Sequence, residues 1–155
     1  MTFHTSVFLN NVMRPQCKRR DKLQYICRGV TALARLPELI DVDLGWCTNV
    51  DANTGCIVAL VKNCINISKL FLTAHRQTSD RDILAIQEYL PELEYLNIMG
   101  TRNVSANSVE NLAKCFPELL LLDIGYCEQL EDQNYLSKLK RILPNCHIVS
   151  SFNQE

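Results

Sequence analysis

The stretch from Leu90 to Gly100 constrains the fold more than any other part of the chain. It reads L-P-E-L-E-Y-L-N-I-M-G and places apolar residues at Leu93, Leu96 and Ile98, in the order L-x-x-L-x-L. The alternation at its end suits a short strand with one buried side. The form recurs at Leu39-Ile-Asp-Val42-Asp-Leu44, at Ile67-Ser-Lys-Leu70-Phe-Leu72 and at Leu119-Leu-Leu-Leu122-Asp-Ile124. A weaker copy begins at Leu143-Pro-Asn-Cys146.

The middle apolar residues of these units are Val42, Leu70, Leu96, Leu122 and Val149, in steps of 28, 26, 26 and 27. A period in the twenties with this leucine pattern is the signature of a leucine-rich repeat. One such strand cannot bury its apolar face alone, but stacked coils bury a continuous core. The expected fold is an α/β leucine-rich-repeat solenoid. Parallel strands line its concave face, helices line its convex face, and there are about four to five repeats.

Length and charge agree with this. A chain of 155 residues with a hydrophobic fraction of 47% can build one domain with a real core. The formal net charge is −1 and both signs are mixed, which argues against nucleic-acid binding. The apolar runs are too short to span a bilayer. None of the eight cysteines forms C-x-x-C, and the three histidines do not cluster with them, so no metal site is expected. Several cysteines fall where a small apolar group is wanted, and Cys64, Cys115 and Cys146, each beside an apolar repeat position, are expected to be shielded and poorly reactive. They read as reduced packing residues of an intracellular, cytoplasmic protein, with a disulfide framework as the alternative.

Residues 1–22 form a degenerate or poorly ordered N-terminal segment, and residues 23–155 the repeat domain. Val7-Phe-Leu9 could be the strand of a decayed earlier repeat. Arg14, Lys18, Arg19 and Arg20 occur among the first twenty residues without an acidic one, somewhat as in a mitochondrial presequence. They are bunched, however, and Pro15 interrupts any amphipathic helix, so a solvated end of the solenoid is the favoured reading. From Leu23 to Leu36 the apolar spacing is helical. Later stripes run through Ile57, Leu60, Val61 and Cys64, then Ile83, Ile86 and Leu90, then Val109, Leu112 and Phe116, and last Leu136, Leu139 and Leu143. In three repeats the helix leads into Leu-Pro-Glu-Leu or Phe-Pro-Glu-Leu, at Pro37, Pro91 and Pro117, so proline stops these helices at the same place. Ser79, Ser105 and Asp132 are the expected N-caps. Cys47, His75, Thr101 and Cys127 share the turn after each strand and are assigned a structural role there.

No catalytic constellation, phosphate loop or cofactor motif is present, so function is expected on a surface. Strand residues between the buried ones face the concave side. Register places there Asp41, Asp43 and Gly45, then Lys69, Phe71 and Thr73, then Tyr95, Asn97 and Met99, and then Leu121, Asp123 and Gly125. Phe71, Tyr95, Met99 and Leu121 make an apolar patch flanked by Asp43 and Asp123, the expected site for a protein partner. The alternative is that another part of the protein covers it. Trp46 and Tyr126 sit at strand ends, either as interface anchors or, the favoured reading, packed over the turn.

Cysteines at the turn and helix positions resemble the cysteine-containing subclass of leucine-rich repeats. The segments Asp43-Leu-Gly-Trp-Cys47, Lys69-Leu-Phe-Leu-Thr-Ala74, Gly100-Thr-Arg-Asn-Val-Ser105 and Leu122-Asp-Ile-Gly-Tyr-Cys127 resemble the C-terminal repeats of the F-box and leucine-rich-repeat proteins. The resemblance runs from about Leu36 to Phe152, with Gly45-Trp46, Thr73-Ala74 and Gly100-Thr101-Arg102 its specific part. It implies the substrate-reading repeats of an SCF-type ubiquitin ligase, a complex of Skp1, cullin and F-box protein that marks proteins for degradation. It implies no enzyme activity in the repeats themselves. The helical F-box that contacts Skp1 has no room before Leu23, so a Skp1–cullin partner is expected only if an F-box lies elsewhere. A scaffold or inhibitor without an F-box is the second class. The resemblance also implies mitochondrial association as a second compartment.

Overall fold

The computed structural model describes residues 5–8, 29–46, 55–130 and 132–151. Six strands form one sheet: β1 Thr5–Phe8, β2 Leu39–Asp43, β3 Lys69–Phe71, β4 Tyr95–Asn97, β5 Leu121–Asp123 and β6 His147–Val149. They pair in parallel in sequence order. Four helices, α1 Cys56–Asn63, α2 Asp80–Tyr89, α3 Ala106–Cys115 and α4 Gln133–Ile142, carry the chain between β2 and β6. Residues 29–33 are helical ahead of β2. Each coil is thus strand, turn, helix and return, and consecutive helices pack on one another as consecutive strands do.

The core is the leucine pattern made solid. Val42, Leu70, Leu96 and Leu122 pair in register along the sheet and are fully buried. Leu44, Leu72, Ile98 and Ile124 form a second buried column. The four helices answer with the expected stripes from Ile57 to Leu143, all buried; of the first stripe Leu23, Ile26 and Cys27 lie outside the described residues, Val30 and Leu33 are buried and Leu36 is exposed.

The helix boundaries follow from local chemistry. The Asp82 carboxylate accepts from both the N–H and the hydroxyl of Ser79, at 2.9 and 3.0 Å. Ser105 Oγ accepts from Ser108 N–H and Asp132 Oδ1 from Asn134 N–H, at 3.2 and 2.8 Å. These bonds satisfy amides that a helix start leaves without partners. At the other end Leu90, Phe116 and Leu143 leave the helical region with ψ of 72°, 67° and 70°. The following proline disfavours helical backbone there. Cys64 adopts the same geometry, with ψ 66°, ahead of Ile65 rather than proline.

One expectation changes. Val149 is half-buried, and Ile148 takes the central core position, paired with Leu122. The N-caps Ser105 and Asp132 are 27 residues apart, where Ser79 and Ser105 are 26 apart. The last coil therefore gains one residue, between the buried Leu130 and Asp132. It loses one again before β6. In earlier coils two successive amides, Leu120 and Leu121, donate to the Glu94 carbonyl, whereas His147 alone donates to that of Leu120. Helix and strand thus repeat with different steps. At the other end of the sheet β1 pairs with β2, which extends it to Val7 and Phe8.

Candidate partner-binding face

The face of the sheet away from the helices is ordered in rows. The first row is Asp41, Lys69, Tyr95, Leu121 and His147, and the second is Asp43, Phe71, Asn97, Asp123 and Val149. Backbone bonds carry the register into a third row, Gly45, Thr73, Met99 and Gly125. Tyr95 and Leu121 are side by side. Phe71 lies one row over, between Asp43 and Asn97, and Met99 sits in the third row. The four apolar residues are therefore staggered across three rows, each half-buried. Lys69 Nζ lies 4.8 Å from the centroid of the Tyr95 ring, within cation–π range.

The second row has a rule, with Phe71 inside the row and Val149 at its end as the two exceptions. Asp43 Oδ1 accepts from Gly45 N–H at 2.7 Å, Asn97 Oδ1 from Met99 N–H at 3.0 Å and Asp123 Oδ1 from Gly125 N–H at 3.0 Å. Each is an Asx turn that folds the chain over at the strand end. A side chain on Gly45 would put its Cβ 3.0 Å from Asp43 Oδ1. Thr73 Oγ1 donates to Asn97 Oδ1, and Asn97 Nδ2 donates to Asp123 Oδ2 at 2.8 Å, so the coils are laced together. Burial pushes the Asp123 carboxyl above its ordinary value, while Gly125 N–H and the Asn97 amide pull the other way. Phe71 occupies the same column and can form no such turn.

At the ends of β2 to β5 the backbone turns left-handed, at Trp46 (φ 61°), Ala74 (φ 55°), Gly100 (φ 73°) and Tyr126 (φ 56°). Only glycine adopts this region without cost. The turn is held by amides donating to the next coil: Trp46 to Thr73 O, Ala74 to Met99 O and Gly100 to Gly125 O, all between 2.7 and 2.8 Å. In the last coil Tyr126 N–H donates to Ser151 Oγ at 2.8 Å instead. This conformation corrects the favoured reading of the aromatic residues. Trp46 and Tyr126 do not pack over the turn but stand in solvent, 61% and 58% exposed.

The next position is buried, at His75, Thr101 and Cys127; Cys47 lies outside the described residues. Cys127 Sγ donates to Ile98 O at 3.1 Å and lies 3.4 Å from Thr101 Oγ1. His75 Nδ1 is 2.8 Å from Thr78 Oγ1, while its buried Nε2 has no hydrogen-bond partner among the described residues. Burial lowers the pKa of His75, against the opposing pull of Asp82. Burial raises that of Cys127 and Cys64, and it pushes Cys146 up to about 11. Cys115 differs from the expectation of a shielded thiol. The helix points it outward, it is exposed, and Gln87 Nε2 donates to its Sγ at 3.1 Å.

The sequence reading therefore found the columns and missed their lacing. The signal was present: Asp43, Asn97 and Asp123 share one column, each two residues before a Gly or Met. Among the described residues no group of His, Cys, Asp and Glu is placed to hold a metal ion. The face offers aromatic and apolar side chains in a fixed polar frame.

The parallel strands, the outer helices and the laced turns define a leucine-rich-repeat solenoid. Among curated proteins the chain is similar to F-box/LRR-repeat protein 4 of Bos taurus, with 36% identity over 146 residues. That match covers 90% of this chain and 23% of the bovine protein. Among solved structures it is similar to the tropomodulin C-terminal domain of Caenorhabditis elegans, with a TM-score of 0.57 and 15% identity. That match spans 80% of this chain and 81% of the worm domain, and it speaks to the fold alone. No protein-family model matches the chain.

Proposed function

We propose that this solenoid is a protein-interaction module that binds a protein partner across its concave face, over Phe71, Tyr95, Met99 and Leu121, with Asp43 and Asp123 beside them. The observation that carries this is Phe71. It interrupts a column of turn-forming Asx residues with an aromatic ring that the turn does not need. The similarity to an F-box/LRR-repeat protein supports the further reading that the partner is a substrate of an SCF-type ubiquitin ligase. In that reading the chain is the recognition part and not an enzyme, and Skp1 and cullin join only through an F-box. A scaffold or inhibitor lacking the F-box would use the same face. Among the described residues no helix is long and apolar enough to cross a membrane. A cytoplasmic setting, with mitochondrial association as the second compartment, belongs to the same proposal.

Co-precipitation from cell extract followed by affinity measurement on the recovered partner tests it. Phe71→Ala with Tyr95→Ala should weaken binding by at least about 2 kcal/mol and leave the melting temperature nearly unchanged. Lys140→Ala, on the exposed side of α4, should do neither. Retention of every partner by the concave variant and loss by the helix variant would move the site to the convex side. Recovery of Skp1 separates the ligase reading from the scaffold.

A further inference from the structure

We propose that the rim at the C-terminal ends of the strands is a second docking surface, which takes a short extended peptide with an acidic middle and apolar ends. Two observations combine. Trp46 and Tyr126 stand exposed three coils apart. Strands are spaced about 4.8 Å apart, so the two rings are separated by roughly 14 Å. At the equivalent positions of the two coils between them stand the small residues Ala74 and Gly100. Just beyond these, Arg76 and Arg102 are exposed at equivalent positions of adjacent coils. Neither takes part in an ion pair among the described residues, where the ion pairs are those of Glu110 with Lys114 and Lys138.

The loops that carry the arginines are pinned. Asn103 Nδ2 donates to Arg76 O at 3.0 Å, and Gln129 Nε2 donates to Arg102 O at 3.1 Å. Asp80 Oδ1 accepts from Ser105 N–H at 2.7 Å, so this neighbouring carboxylate is committed to the next helix start. A pre-ordered surface loses little entropy on binding. Arg81 adds a further exposed cation, and Glu128 ends the basic stretch beyond Tyr126. The opposite rim carries exposed Glu38, Glu92 and Glu118 at the equivalent turns and would repel the same peptide.

An extended chain advances about 3.3 Å per residue, so about five residues span the two rings. The end side chains then meet Trp46 and Tyr126, and carboxylates between them meet the arginines, which bind carboxylates in a planar fork. This surface is separate from the concave one, and its test does not depend on a partner there.

The probe is an array of Gly-Ser-flanked five-residue peptides. Their ends are leucine or serine, and their middle residues are glutamate, glutamine or lysine. Leucine-ended glutamate peptides should bind best to the full chain. Trp46→Ala should weaken them about tenfold. Arg76→Glu with Arg102→Glu should switch the preference to lysine-centred peptides, an outcome that mere loss of folding cannot produce. Tyr95→Ala, on the concave face, should leave the array unchanged. Binding that ignores the middle residues, no switch on charge reversal in a variant that melts normally, or tighter capture of a single-stranded oligonucleotide would each overturn the proposal.

Discussion

The two faces of the sheet obey opposite rules. On the inner face Val42, Leu70, Leu96, Leu122 and Ile148 follow one another as apolar side chains of similar size, all buried. On the open face their neighbours Asp41, Lys69, Tyr95, Leu121 and His147 share no property. The inner face must stack coil on coil, so each position is constrained by the one before it. The open face meets solvent, and outside the turn-forming Asp43, Asn97 and Asp123 its residues can differ without cost to the stack. The repeated face therefore carries the fold, and the unrepeated one is where specificity can be written.

The sharpest way to break this comparison is to truncate one residue on each face. Leu96→Ala should destabilise by about 2–5 kcal/mol, because it opens a cavity between coils that cannot collapse. Phe71→Ala should cost far less in the same chemical denaturation. Equal losses would mean that the two faces had been exchanged by a one-residue slip. Thiol labelling of the native protein sharpens the same contrast on the helices. Cys115 should react on the order of a hundredfold faster than Cys64 and Cys127, which react only through local opening. Uniform rates would contradict the burial described for them.

How far the sequence could be read follows from this contrast. The inner face was legible because a leucine repeated at fixed steps admits one arrangement. It failed only in the last coil, where the helix step is 27 and the strand step 26. Ile148 and Val149 are both apolar, so hydrophobicity could not choose between them, and only the backbone pairing does. The open face was legible as a set of columns but not as a network. No sequence rule says that Asn97 reaches Asp123, or that Trp46 turns outward because its backbone is left-handed. Cys115 was misplaced for a related reason: it stands next to Phe116 in sequence, but a helix turns neighbours about 100° apart.

His75 tests the buried turn column. Its native pKa is lowered by burial from an ordinary 6.5. The unfolded chain therefore takes up a proton first as pH falls. Stability is full above pH 6.5 and declines below it, with a limiting slope of about 1.4 kcal/mol per pH unit. His75→Thr, which installs the residue of the next coil, should flatten this dependence between neutral and mildly acidic pH. A wild type that gains stability on acidification would refute the buried neutral imidazole. Ser150 gives a similar test at the end of the inner face. It stands where Leu72, Ile98 and Ile124 stand in their coils, buried with a hydroxyl that finds no partner among the described residues. Ser150→Ala should stabilise by about 1 kcal/mol, since an unsatisfied buried polar group is costly. A loss of that size would instead reveal a hydrogen bond to the hydroxyl.

The smallest expected effect on stability bears most directly on function. Phe71 stands in the column of Asp43, Asn97 and Asp123, and Thr73, two residues on, is where Gly45, Met99 and Gly125 receive their Asx bonds. Phe71→Asn would supply the missing acceptor for the Thr73 amide and continue the lacing by one coil. It would also remove a half-buried ring. A hydrogen bond contributes about 1 kcal/mol and partial loss of aromatic burial opposes it, so the net change should lie within about 0.5 kcal/mol of zero. If the ring is kept for a partner, the same substitution should cost at least about 2 kcal/mol of binding. Stability and recognition then separate at one residue. A fall in stability of more than about 2 kcal/mol with binding intact would make Phe71 a packing residue and return this column to the fold.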